Sequence, residues 1–270
     1  MKTRAAIPML LCALLLVSTA TRSGAYPGGT PAYVTDAGTF CASCHASMDR
    51  AYHRVDPQEK ADQEFVENKH YGAILKGVGD YGKLSPEERQ ALVAEVRKLD
   101  AATSITFEAP TKVKPGARIT ARVRVVGGAG PVLGVQLLDT NLRYQARSPE
   151  GDGWRIVGAP RVTGPDDKPQ TGWTDRRAPG LGKNINYVNI LDVAGDVATG
   201  TYAHASVEWD LVAPAAPGRY TLAAALLYGS EKATKLGALK SVQGTRPRGG
   251  FGGASGHIRF SPVVTIEVGP

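Results

Sequence analysis

The chain has 270 residues, 42% of them hydrophobic and 21% charged, an ordinary globular balance with room for one large or two small domains. Its formal charge of +7 is unevenly spread: nine basic and twelve acidic residues in 26–103 give −3, and twenty basic with thirteen acidic from 104 onward give +7. No basic stripe interleaved with aromatics accompanies that excess, which argues against nucleic acid as a partner. A basic surface suits an oppositely charged protein or peripheral contact with lipid headgroups, or is simply solvated.

Residues 1–25 read as a secretory signal peptide. Lys2 and Arg4 open it, 7–17 is almost wholly apolar, and the small residues Ser18, Ala20, Ser23 and Ala25 follow, with cleavage expected after Ala20 or Ala25. The apolar run falls short of the roughly 20 residues that span a bilayer, and no later stretch spans one. The expectation is a mature protein without a transmembrane segment, periplasmic or secreted. Cys12 leaves with the signal, so only Cys41 and Cys44 remain and a disulfide framework is not what holds the fold together.

Residues 26–40, rich in Pro and Gly, read as a loop leading to the cysteines. A helical stretch is expected over 58–75, broken by Gly77, Gly79 and Gly82. The clearest helix starts at Ser85-Pro86-Glu87-Glu88, with Ser at the N-cap, Pro first in the helix and Glu three residues after the cap. Leu92, Val93, Val96 and Leu99 then recur at helical spacing and form an apolar face that must cover something.

After Asp100 the period changes to two. Ile105 and Phe107, then Ile119, Ala121, Val123 and Val125, alternate with polar residues on either side of the turn Lys114-Pro115-Gly116. Further strands are expected at 132–138, 154–157, 187–191, 205–211, 219–228 and 258–268, which together suggest an immunoglobulin-like antiparallel β-sandwich. Trp209 is expected in its core; Trp154 and Trp173 are left unassigned. Residues 158–183 and 244–256, dense in Gly, Pro and Arg, are expected to be long loops. The fold class is therefore multidomain, α plus all-β: signal peptide 1–25, a small helical domain 26–103 and a β-sandwich 104–270.

Cys41-Ala42-Ser43-Cys44-His45 is Cys-x-x-Cys-His, the attachment signature of a c-type haem. Two thiols at this spacing can add to the two vinyl groups of haem, and the adjacent imidazole provides an axial ligand. A thioredoxin-like redox pair would need a βαβ context, and a four-ligand zinc site a second Cys or His pair at ligand spacing; neither is present. The expected cofactor is one covalent heme c on Cys41, Cys44 and His45.

With that motif near its start and Gly77 to Leu84 leading into SPEERQALVAEVRKL, the segment 26–103 resembles a small class I cytochrome c. The resemblance implies that the last helix packs across the chain near the motif, close to the haem. The family usually supplies a distal Met ahead of that helix, and none lies between Gly77 and Leu84. Met48, three residues past His45, is on the proximal side. His70, 25 residues past His45, is the expected second metal ligand, with His53, His204, His257 or an open iron as alternatives. Tyr71 and Tyr81 could flank the pocket and are not assigned.

The stretches Val113-Lys114-Pro115-Gly116, Glu208-Trp209-Asp210-Leu211 and Pro217-Gly218-Arg219-Tyr220 are loosely similar to Reeler-like and related immunoglobulin-like modules that follow a Cys-x-x-Cys-His segment in exported bacterial proteins. No catalytic constellation occurs in this region. The expected function is electron transfer, as a periplasmic carrier or the haem subunit of a redox complex, with the sandwich docking a redox partner. The alternatives are a haem enzyme or gas-binding sensor with an open distal position, and an adhesion or assembly module in which the haem is incidental.

Overall fold

The computed structural model describes residues 59, 62–141, 148–175, 182–241, 244–249 and 256–270. A π-helical segment, Asp62–Tyr71, runs directly into helix α1, Gly72–Lys76. The helix stops where Gly77 takes φ +71 and its amide reaches the carbonyls of Ala73 and Ile74, a left-handed cap that favours glycine. A 3₁₀ turn, Gly79–Lys83, leads to α2, Pro86–Ala102. The expected capping box is present at its start: the Glu88 amide donates to Ser85 Oγ at 3.2 Å and the Ser85 amide to the Glu88 carboxylate at 2.8 Å.

Leu92, Val93, Val96 and Leu99 are buried, as their spacing requires. The first three pack with Val66, Tyr71, Ile74, Tyr81 and Leu84. Leu99 instead joins Ala129, Val197 and Ala233 from the β region, so one helix face serves two cores.

The strands are β1 Ser104–Glu108, β2 Lys112–Val113, β3 Arg118–Val126, β4 Ala129–Leu138, β5 Arg155–Ile156, β6 Arg161–Thr163 and β7 Pro169–Gln170. After helix α3, Gly172–Asp175, come β8 Tyr187–Ile190, β9 His204–Val212, β10 Gly218–Gly229, β11 Ala238–Ser241, β12 Gly244–Pro247, β13 Gly256–Phe260 and β14 Val264–Val268. One six-stranded sheet runs β1-β3-β9-β6-β7 with β5 also on β9; the other runs β2-β14-β10-β4-β8 with β13 also on β10. Val123, Val207, Trp209 and Leu211 of the first sheet share one core with Leu133, Val135, Leu222 and Ile266 of the second, which makes the region a β-sandwich. The ladders are antiparallel except β2–β14, which is parallel because the chain leaves the first sheet after β1, touches the edge of the second and returns as β3.

Strand β9 shows the expected alternation. Ala205, Val207, Trp209 and Leu211 point inward, and Trp209 donates to the Ile185 carbonyl at 2.8 Å. On the other face Glu208 and Asp210 receive the guanidinium of Arg161, which ties β6 to the sheet. The chain crosses between sheets at Gly127-Gly128, both at positive φ; a Cβ on Gly127 would fall 2.7 Å from the Thr103 backbone at the end of α2. That close approach packs the helix end against the sheet corner.

Several expectations are corrected. The 158–183 region holds β6, β7 and α3, and 244–256 holds β12 and the start of β13. These elements are only two to five residues long, too short to show a local period; β6 and β13 are defined by pairing with β9 and β10, and β7 and β12 by short hairpins with β6 and β11. The single strand expected at 258–268 is two, β13 and β14, separated around Pro262, which cannot donate to a ladder. Trp154 and Trp173 are both buried. No helix among the described residues is long and apolar enough to cross a membrane.

Replacing Trp209 by Ala removes a fully buried side chain and its hydrogen bond, and the expected loss is about 3–5 kcal/mol. Urea unfolding of the full chain measures it; a loss under about 1 kcal/mol would contradict a core role for this residue.

Candidate functional site

Cys41, Cys44 and His45 lie outside the described residues, as do Met48 and His53. His204 is exposed on β9, its Nε2 3.0 Å from Asp167. His70 and His257, 187 positions apart, are brought into contact.

Four elements converge on this pair. His70 precedes the last residue of the π-helical segment. His257 lies on β13 directly opposite Tyr228 of β10, which puts both rings on one face of the second sheet, 5.4 Å apart. Asp100 follows Val96 by four residues and so stands on the buried stripe of α2. Glu231 opens the 3₁₀ turn Glu231–Ala233 just after β10.

The four side chains form a continuous chain of hydrogen bonds. Glu231 Oε1 is 3.0 Å from His70 Nε2, His70 Nδ1 is 2.6 Å from His257 Nε2, and His257 Nδ1 is 2.7 Å from Asp100 Oδ1. The hydroxyl of Tyr71 donates to Asp100 Oδ2 at 2.5 Å, that of Tyr228 to Asp100 Oδ1 at 3.0 Å, and that of Tyr81 to Glu231 Oε1. Arg259 Nη2 donates to the Asp100 carbonyl at 2.5 Å. His70 and Glu231 are 0% exposed and His257 1%.

The partners determine where protons sit. A carboxylate oxygen only accepts, so His70 Nε2 and His257 Nδ1 both donate. Between the rings one nitrogen must donate and the other accept. The pair is set between two carboxylates, with the Arg259 guanidinium nearby. Burial by itself would raise the Asp100 carboxyl, but the charge and hydrogen bond of His257, with Tyr71 and His70, outweigh it and hold it below the ordinary range. Glu231 is lowered in the same way: burial opposes ionisation, and His70 and Tyr81 overcome it. Burial, reinforced by these carboxylates, pushes the Tyr71, Tyr81 and Tyr228 phenols up, so they stay neutral donors.

A second contact joins the same units. Arg246 Nη2 reaches Asp80 Oδ2 at 2.5 Å and Arg248 Nη1 the Asp80 carbonyl at 2.9 Å. Hydrogen bonds from Lys83 and then Arg246 bring the Asp80 carboxyl down to about 2. The segment expected to be an open loop therefore grips the turn ahead of α2.

Chemically, a chain with no exposed ring can hold a shared proton and fix two units against each other, but it offers no surface to a substrate. Among the described residues no group of three or more His, Cys, Asp or Glu is arranged to hold a metal ion. The facing histidine nitrogens, 2.6 Å apart, leave no space for one between them. Asp100 and Glu231 escaped the sequence reading. An acidic residue on an otherwise apolar helical stripe was the available signal for Asp100; Glu231, after an apolar strand, carries none.

No known family profile matches the chain, and no curated protein matches it. Solved structures similar to it include the CARDB domain of the PF1109 protein in complex with di-metal ions from Pyrococcus furiosus, at 10% identity over 62% of this chain and 90% of that one, with a TM-score of 0.25. Another is CfaE, the adhesive subunit of CFA/I fimbria of enterotoxigenic Escherichia coli, at 11% identity over 63% of this chain and 49% of that one, with a TM-score of 0.29.

Asp100 and Glu231 both have folded-state pKa values below their unfolded values, so their contribution is complete above about pH 4 and is lost as pH falls through the folded values. Thermal melts of the full chain should therefore fall below about pH 4, with a shallower acid limb in Glu231→Ala. At neutral pH that substitution should cost about 3–5 kcal/mol, because it removes the buried acidic partner of both His70 Nε2 and the Tyr81 hydroxyl. A variant with wild-type stability would rule out an ionised Glu231.

Proposed function

We propose that the chain is an exported c-type cytochrome that transfers electrons, as a periplasmic carrier or the haem subunit of a redox complex, with the β-sandwich docking its redox partner. The observation that carries this reading is Cys41-Ala42-Ser43-Cys44-His45. By the chemistry of its donors the set fits one heme c: Cys41 and Cys44 hold the group through thioethers and His45 supplies an axial imidazole. The bound group would supply one-electron chemistry. The helical unit after the motif is packed on the sandwich through Leu99 and the buried Glu231–His70–His257–Asp100 chain, which supports a carrier and docking surface moving as one body.

The absence of a Met between Gly77 and Leu84, together with the engagement of both His70 nitrogens, favours a second reading, a haem enzyme or gas-binding sensor with an open distal position. Purification from a host competent for haem attachment separates the possibilities. The expected product carries haem absorbance that survives denaturing electrophoresis and is abolished in Cys41→Ala/Cys44→Ala; a colourless wild-type chain would end the haem reading. Prompt spectral conversion of the reduced protein by carbon monoxide would replace the carrier by the sensor or enzyme.

A further inference from the structure

The sequence points to His70 as the second ligand of the iron, and the following inference rests on the haem reading above. An imidazole ligates through an in-plane lone pair on one nitrogen. Both His70 nitrogens are already engaged, Nδ1 by His257 at 2.6 Å and Nε2 by Glu231 at 3.0 Å, and the ring has no exposed surface. The rings of Tyr71 and His257 flank it at 5.8 and 4.8 Å between centroids.

Neither nitrogen can be released without a consequence elsewhere. Freeing Nε2 would leave Glu231 with the Tyr81 hydroxyl alone; its Oε2 already has no hydrogen-bond partner among the described residues. Freeing Nδ1 would leave His257 Nε2 without its partner inside a closed interface, while His257 Nδ1 stays bound to Asp100. An isolated buried charge or unpaired imidazole is the kind of defect that folded proteins avoid. Bringing the broad face of a porphyrin to this ring would also require the helical unit and the sandwich to separate, breaking the contacts of Leu99 with Ala129 and Ala233 and of Arg246 with Asp80.

We infer that docking of the helical unit on the sandwich and ligation of iron by His70 exclude one another, so that in the docked protein the sixth position of the iron belongs to a group other than His70. His70 is then a positioning residue that locks the helical unit to the sandwich. The test uses the full-length haem-loaded protein. His70→Gln keeps an amide able to meet Glu231 but is a poor iron ligand. The expected result is a ferric absorption and electron paramagnetic resonance spectrum with the wild-type spin state, together with a melting temperature lowered by several degrees. A low-spin wild type that becomes high-spin in His70→Gln would overturn the inference.

Should the variant fail to accumulate, the wild type itself gives the answer. In the reduced, ¹⁵N-histidine-labelled protein, nitrogen–nitrogen coupling across a hydrogen bond between two imidazoles is expected, and its absence would overturn the inference. A preparation without haem absorbance strikes the reading of Cys41 to His45 instead, and the imidazole coupling still reports whether the lock is formed.

Discussion

The buried hydrogen bond between His70 and His257 is the constraint on which the arrangement of the two units depends. The apolar contact across their interface is small, with Leu99, Ala129, Val197 and Ala233 as its buried members. Such a patch permits several orientations. A line of four side chains, each with partners at defined angles, permits very few, because a displaced unit would leave buried carboxylates and ring nitrogens unpaired. Glu231 and Asp100 stand at the two ends of the line, each against one histidine ring nitrogen.

Local structure prepares each group for this role. The capping box at Ser85 and Glu88 fixes the start of α2, and the regular helix then delivers Asp100 four residues after Val96, on the buried side. The β10–β13 register sets His257 opposite Tyr228, so the sheet itself aims both side chains at Asp100. Thr103 closes the helix by donating to the Leu99 carbonyl and accepting from the Gly128 amide at the corner where the chain passes from one sheet to the other. The interface is thus continuous with the fold of both units.

The helical segment 62–102 is held against the sandwich in this way. The surface of the sandwich beyond the interface includes the ion-paired Arg122, Arg161, Glu208 and Asp210 face of the first sheet.

Much of the architecture was legible in the order of residues. The helix from Pro86, its apolar stripe, the alternation in β3 and β9 and the core position of Trp209 all follow from local periodicity and capping chemistry, which act between residues a few positions apart. The short strands β6, β7 and β12 did not, because two to four residues hold no measurable period; β6 exists by pairing with the remote β9, and β7 and β12 by closing short hairpins on β6 and β11. The Cys-x-x-Cys-His motif was legible for the same reason as the capping box: its chemistry lies within five consecutive residues. By itself the sequence determined the Cys-x-x-Cys-His pattern, the charged and then apolar start over 1–25 and the sandwich pattern. Only the tertiary structure decided that His70 faces His257 and that Asp100 and Glu231 close the line, since those groups are separated by 157 to 187 positions and meet through packing that no local pattern encodes.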